Sequence, residues 1–112
     1  NTIEVTGSLE RSRDLIYVDD VVEALKVPLL STNMKGTFNL CSGRKTTIRE
    51  LIENIIEIAS KDTADFIITD VGGIKEDPPS VWGDNSKLRK LGWENSISLP
   101  EGLRRCWEVI NG

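Results

Sequence analysis

Histidine is absent from the 112 residues, which removes at once the usual general base and the commonest metal ligand. Cysteine occurs twice, at Cys41 and Cys106, with no C-x-x-C pair and no zinc spacing. Two reduced thiols in or near the core are therefore expected, as in a cytoplasmic protein, rather than a disulfide. No apolar run approaches the roughly 20 residues that span a bilayer. No cationic leader followed by an apolar stretch is visible either, so no signal peptide and no membrane association are expected. The chain opens on Asn1 rather than Met and is read as a fragment or a processed form. Positive charge is in deficit: 14 basic against 18 acidic residues leave a net charge of −4. That balance argues against nucleic-acid binding, which depends on basic patches.

What is present is ordinary for a globular chain, 38% hydrophobic and 29% charged. The length predicts one small domain over residues 1–112, able to bury only a modest core. Residues 2–6 alternate polar and apolar, as a half-buried strand does. The β-branched and aromatic run at residues 15–18 reads as a second strand. Asp19 and Asp20 follow it, with Glu23 three residues after Asp20, as a capping box would have them. A helix from Val21 is expected to bury Val21, Val22, Leu25 and Leu29, to kink or tighten at Pro28, and to finish by Ser31. Residues 37–41 read as a strand. Thr47 with Glu50 caps the next helix, whose stripe is Ile48, Leu51, Ile52, Ile55 and Ala59. Residues 66–69 read as another strand, and residues 71–81 as a long irregular loop, a type that is often functional. Asp84 is placed as the cap of a short helix ending before Gly92. Ser98 and Glu101 start a last helix that buries Leu99, Leu103, Trp107 and Ile110.

Three segments then point to one family. Arg13-Asp14-Leu15-Ile16-Tyr17-Val18-Asp19-Asp20 resembles the R-D-[FYW]-[IV]-[HY]-V-x-D segment of NAD-dependent nucleotide-sugar epimerases and dehydratases, the extended short-chain dehydrogenase/reductase family. Gly36-Thr37-Phe38-Asn39-Leu40 through Ser42-Gly43 is similar to that family's G-x-x-[FY]-N-[VL]-x-[ST]-G strand. Asp77-Pro78-Pro79, then Gly83-Asp84-Asn85-Ser86-Lys87-Leu88 and Leu91-Gly92-Trp93, resembles its C-terminal D-x-P…D-x-S-K-x…LGW run. Order and spacing agree over nearly the whole chain.

The resemblance implies a small α/β domain, the C-terminal substrate-binding part of an extended short-chain dehydrogenase/reductase. It would consist of short strands and about four helices and lack the Rossmann dinucleotide-binding portion. Catalysis in the family needs G-x-x-G-x-x-G and Tyr-x-x-x-Lys. Gly72-Gly73 does not make the first, and Tyr17, the single tyrosine, has Val21 four residues on. No cofactor is expected on this chain, with NAD or NADP expected in the parent enzyme. The expected partners are a nucleotide-sugar substrate, the missing Rossmann portion, and further copies of the chain through exposed apolar surface. The alternative is a non-catalytic fragment that serves protein interaction or oligomerisation.

Arg13 is the leading site candidate. Its fork suits a phosphate, and the resemblance implies a contact to the diphosphate of a sugar nucleotide. The residues alone equally allow an arginine paired with Asp14, Glu10 or a helix end. In the loop at residues 73–79 the family often reads R-P-x-[DE]; counting back from Gly83-Asp84 puts Ile74 at the arginine position. Lys75 is the neighbouring candidate, as a point charge without the fork, or else a solvated loop lysine. Asp77 falls on a family position and either accepts a ribose or sugar hydroxyl or stabilises the turn before Pro78-Pro79.

Overall fold

The computed structural model describes residues 1–30, 34–73 and 79–112. In chain order the elements are β1 (Thr2–Val5), β2 (Ser12–Arg13), α1 (Val18–Leu30), β3 (Thr46–Thr47), α2 (Ile48–Ile58), β4 (Ile67–Asp70), α3 (Ser86–Arg89) and α4 (Leu99–Asn111). A single 3-10 turn, Thr63–Asp65, precedes β4. This is the small α/β unit with four helices and short strands that the sequence predicts.

The alternation in β1 decides its pairing. β1 lies parallel to β4, Thr2 opposite Ile67 and Val5 opposite Asp70. Ile3 and Ile68 face each other half-buried while Glu4 and Thr69 stay exposed. β2 and β3 form a two-residue antiparallel pair. Thr47 Oγ1 accepts the Glu50 N–H at 3.1 Å, so the α2 cap forms as its sequence dictates. Ser98 does the same for α4 through the Glu101 N–H. Only half of each box forms, because Glu50 pairs with Arg44 and Glu101 with Arg104 and Arg105. The expected left-handed glycine after α3 is present: Gly92 has φ +96°.

Several expectations fail, each for a local reason. Residues 14–17 form no strand, and α1 starts at Val18 rather than Val21. Asp20 is not a cap: its N–H is itself bonded to the Tyr17 carbonyl at 3.0 Å. Residues 37–41 form no strand either; Phe38 and Leu40 pack instead against Ala24, Leu88 and Trp93, the central apolar cluster. α1 runs through Pro28 to Leu30, and Ser31 lies outside the described residues. α3 is shorter than expected and Asn85 holds the cap position, but the Asp84 carboxylate does accept the N–H of Ser86, the first helical residue, at 2.9 Å. β4 sits one residue later than expected.

The helix faces also differ from the sequence reading. α1 buries Asp20 and Ala24, and its apolar row Val18, Val22, Leu25 and Leu29 is 60%, 46%, 59% and 82% exposed. α2 buries Ile56 and leaves Ile55 exposed. α4 buries Gly102 and exposes Trp107 and Ile110. Cys106 is exposed and Cys41 half-buried, both as free thiols. The molecule is a slab of 54 × 38 × 17 Å with a radius of gyration of 16.8 Å, against about 13 Å for a compact chain of this length. No helix among the described residues is long and apolar enough to cross a membrane.

Candidate substrate-binding site

Arg13 ends β2 and is held from three sides. Its strand pairs with β3, Arg13 opposite Thr46. The preceding Ser12 is buried and forms a parallel bridge with Ser80. The Ser12 N–H donates to Pro79 O at 2.9 Å, the Val81 N–H donates back to Ser12 O at 3.0 Å, and the two serine hydroxyls are hydrogen-bonded at 2.7 Å. The Arg13 guanidinium donates to the Ser12 carbonyl at 2.7 Å. Side chains alternate along a strand, so within β2 Ser12 faces one way and Arg13 the other.

Asp14 is the second fixed point. Its carboxylate accepts four hydrogen bonds: Ser42 N–H at 2.8 Å and Ser42 Oγ–H at 2.6 Å on Oδ1, Gly43 N–H at 2.9 Å and Gly83 N–H at 3.1 Å on Oδ2. Burial works to raise its pKa, but the Ser42 hydroxyl and the three backbone N–H groups together outweigh it. The net shift is downward. The same burial pushes the neighbouring Cys41 thiol up, and the Asp14 charge adds to that. Gly83 is required where it stands: a Cβ there would lie 2.5 Å from Cys41 Sγ, a distance no side chain tolerates. Asn85, also buried, donates from Nδ2 to Cys41 O at 3.0 Å and holds the start of α3 to the same loop.

The stems of the candidate loop are placed by the same bonds. Gly7 N–H donates to Gly72 O at 3.0 Å, and Ser12 N–H to Pro79 O. The chain thus leaves beside Gly7 and returns one residue from Arg13. Lys75 and Asp77, the other two candidates, lie outside the described residues. The sequence reading missed Ser12 and Ser80 altogether and took Asp14 only as a partner for Arg13. No signal in the sequence marked the clamp, because three of the four donors to the half-buried Asp14 carboxylate are backbone N–H groups.

Lys45 Nζ sits 3.7 Å above the Trp82 ring, an exposed cation–π pair. Trp93 is core. Arg104 and Arg105 are engaged, Arg104 with Glu101 and Glu108 and Arg105 with Glu101 and Asp19. Those two guanidinium groups, Arg104's first, hold Glu101 down at about 2. Among the described residues no group of three or more acidic or cysteine side chains could hold a metal ion.

The profile of the GDP-mannose 4,6 dehydratase family matches residues 1–106. The chain belongs to that family, among the NAD(P)-dependent nucleotide-sugar epimerases and dehydratases. Within it, the GDP-6-deoxy-D-mannose reductase of Pseudomonas aeruginosa is 35% identical over 96% of this chain and 36% of its own. The structure of RMD from the same organism, complexed with NADPH, superposes with a TM-score of 0.80 at 30% identity, over 97% of this chain and 36% of that one. UDP-glucose 4-epimerase of Thermotoga maritima, solved with UDP-glucose, gives 0.79 at 32% identity, over 98% and 35%. The chain therefore spans about a third of the length of the relatives it matches.

The N-termini of the three longer helices do not suit the pyrophosphate of a dinucleotide. Pyrophosphate needs a glycine-lined helix N-terminus with free N–H groups. The first turns of α1, α2 and α4 carry Asp19 and Asp20, Glu50 and Glu101 respectively. Those carboxylates repel a phosphate, and the side chains of Thr47 and Ser98 already take an N–H at two of these ends.

Proposed function

We propose that this chain is the substrate-binding portion of an NAD(P)-dependent enzyme that epimerises or dehydrates a nucleotide sugar, not catalytic by itself. Arg13 binds the diphosphate of a UDP-, GDP- or dTDP-sugar, with Lys75 and Asp77 as further contacts from the loop whose stems flank it. NAD or NADP belongs to the parent enzyme's Rossmann portion, which would oxidise the sugar at C4 transiently and return the hydride after epimerisation or loss of water. The two free thiols fit a cytoplasmic location. One observation carries the reading. Arg13 stands on a strand paired with β3 on one side and bridged to Ser80 on the other, so the base of its side chain is fixed, and the fork at its tip has the geometry of bidentate phosphate recognition.

The test is calorimetric titration of the full-length protein with UDP, GDP and dTDP. A charge-assisted pair contributes about 1.5–3 kcal/mol, so Arg13→Ala should weaken the best nucleotide by about 10- to 100-fold. Arg13→Lys should recover only part, lacking the fork. No saturable binding by the unmodified protein, or equal binding by Arg13→Ala, overturns the reading.

A second reading rests on the exposed row Val18, Val22, Leu25 and Leu29 of α1. Spaced as one helical face, it suits a protein-interaction or oligomerisation domain. Sedimentation that shows a concentration-independent monomer, unchanged by Leu25→Glu, removes it.

A further inference from the structure

We infer that Asp14 is a positioning residue for Arg13: its carboxylate, clamped between two loops, fixes the direction in which the guanidinium meets the diphosphate. The inference rests on the nucleotide-binding reading of Arg13.

On its N-terminal side Arg13 is secured by backbone pairing to β3 and by the Ser12–Ser80 bridge. On its C-terminal side there is no ladder, since residues 14–17 pair with no strand. The Asp14 side chain takes the place of that ladder. Its four hydrogen bonds, one set to Ser42 and the other to Gly43 and Gly83, tie the strand to two loops far apart in sequence. Gly83 continues directly from the residues that pair with Ser12, so a single carboxylate also keeps the returning stem of the candidate loop in register with Arg13.

A carboxylate is the group this site demands. Each oxygen receives two donors, and three of the four are backbone N–H groups that cannot turn into acceptors. An asparagine would have to aim its NH2 either at Ser42 N–H or at the paired N–H groups of Gly43 and Gly83. Aimed at Ser42 it would lose the Ser42 N–H bond, and aimed at the glycines it would lose both of theirs; either way a donor would face a donor. A glutamate, one methylene longer, would overshoot the loops. Arg13 and Asp14 are joined by one planar peptide unit, so a shift of the Asp14 backbone turns Arg13 with it. A bidentate contact tolerates only about 10–20° of such error.

The experiment uses the full-length protein and whichever of UDP, GDP or dTDP binds tightest. Asp14→Asn should weaken binding by about 10-fold, and Ser42→Ala, which removes one of four donors and keeps the fold, by about 2- to 5-fold. The deciding readout is a double-mutant cycle. In an Arg13→Ala background both further losses should shrink to less than about twofold, because a clamp acting through Arg13 has nothing left to aim. A merely structural role would give the same loss in either background.

Additive losses, or unchanged binding in Asp14→Asn and Ser42→Ala while Arg13→Ala is weakened, overturn the positioning role and leave the Arg13 reading intact. Unchanged binding in Arg13→Ala overturns the Arg13 reading, and the positioning role with it. Should Asp14→Asn not fold, Ser42→Ala decides alone.

Discussion

The indole N–H of Trp93 donates to the main-chain carbonyl of Asp20 at 3.0 Å, in the interior of the molecule and 73 residues away in sequence. The Asp20 carboxylate completes the join. It accepts Ser96 N–H at 2.9 Å, Ser96 Oγ–H at 3.2 Å and Ile97 N–H at 3.0 Å, with only 2% of the residue exposed. α1 and the segment leading into α4 are fastened by this one residue.

Truncating that carboxylate leaves two backbone donors without partners in a part-buried place. Each unsatisfied group costs about 1–3 kcal/mol, so Asp20→Ala should lose about 3 kcal/mol or more. Urea denaturation measures it, and a loss under about 1 kcal/mol would mean that water replaces the carboxylate.

Acid should loosen the Asp14 clamp. Its folded pKa lies below the ordinary value, so the stabilisation is present above about pH 4 and is lost as pH falls through the folded value. Glu101, held at about 2, acts in the same direction. Melting temperature should therefore drop on going from pH 5 towards pH 2, and the gap between the unmodified protein and Asp14→Asn should close over the same interval. A gap that stays constant to pH 2 would show that the carboxylate charge contributes nothing.

Thr47→Ala should cost about 1 kcal/mol, the usual worth of a helix N-cap, whereas Thr47→Ser should be nearly neutral. Chemical denaturation of the pair separates cap loss from side-chain packing. Equal losses would assign the effect to the Thr47 methyl group.

Gly83→Ala should destabilise by about 1–3 kcal/mol through overpacking, since its Cβ would meet Cys41 Sγ at 2.5 Å and Cys41 Cβ at 3.1 Å. Cys41→Ala removes the sulfur, and in that background the cost of Gly83→Ala should fall by more than half. Independent, additive losses would place the strain in the backbone instead.

What could be read from the sequence was local. Thr47 and Ser98 cap their helices because the Oγ acceptor and the N–H three residues on are brought together by the backbone alone. β1 and β4 alternate because one face of each is covered. The strand expected at residues 15–18 has the right composition, but a strand needs a neighbour; residues 15–17 have none, and Val18 already starts α1. α1 carries a real apolar stripe. The choice of inward face was nevertheless made by Asp20, whose partners Ser96 and Ile97 lie 76 and 77 residues on, beyond any periodicity argument. At the site, Arg13 was singled out by its residue chemistry and motif, and Lys75 and Asp77 by the resemblance alone; those two lie outside the described residues. The Asp14 clamp was not legible, because its donors are backbone N–H groups that every residue but proline possesses.

The two stems at Gly72 and Pro79 are each fastened to the link between β1 and β2, at Gly7 and Ser12. Their attachment uses main-chain atoms, so it is indifferent to which side chains the intervening residues carry. Such an arrangement works as a cassette. Exchange of the side chains at 74–78 would therefore leave both attachments, and the fold around them, in place.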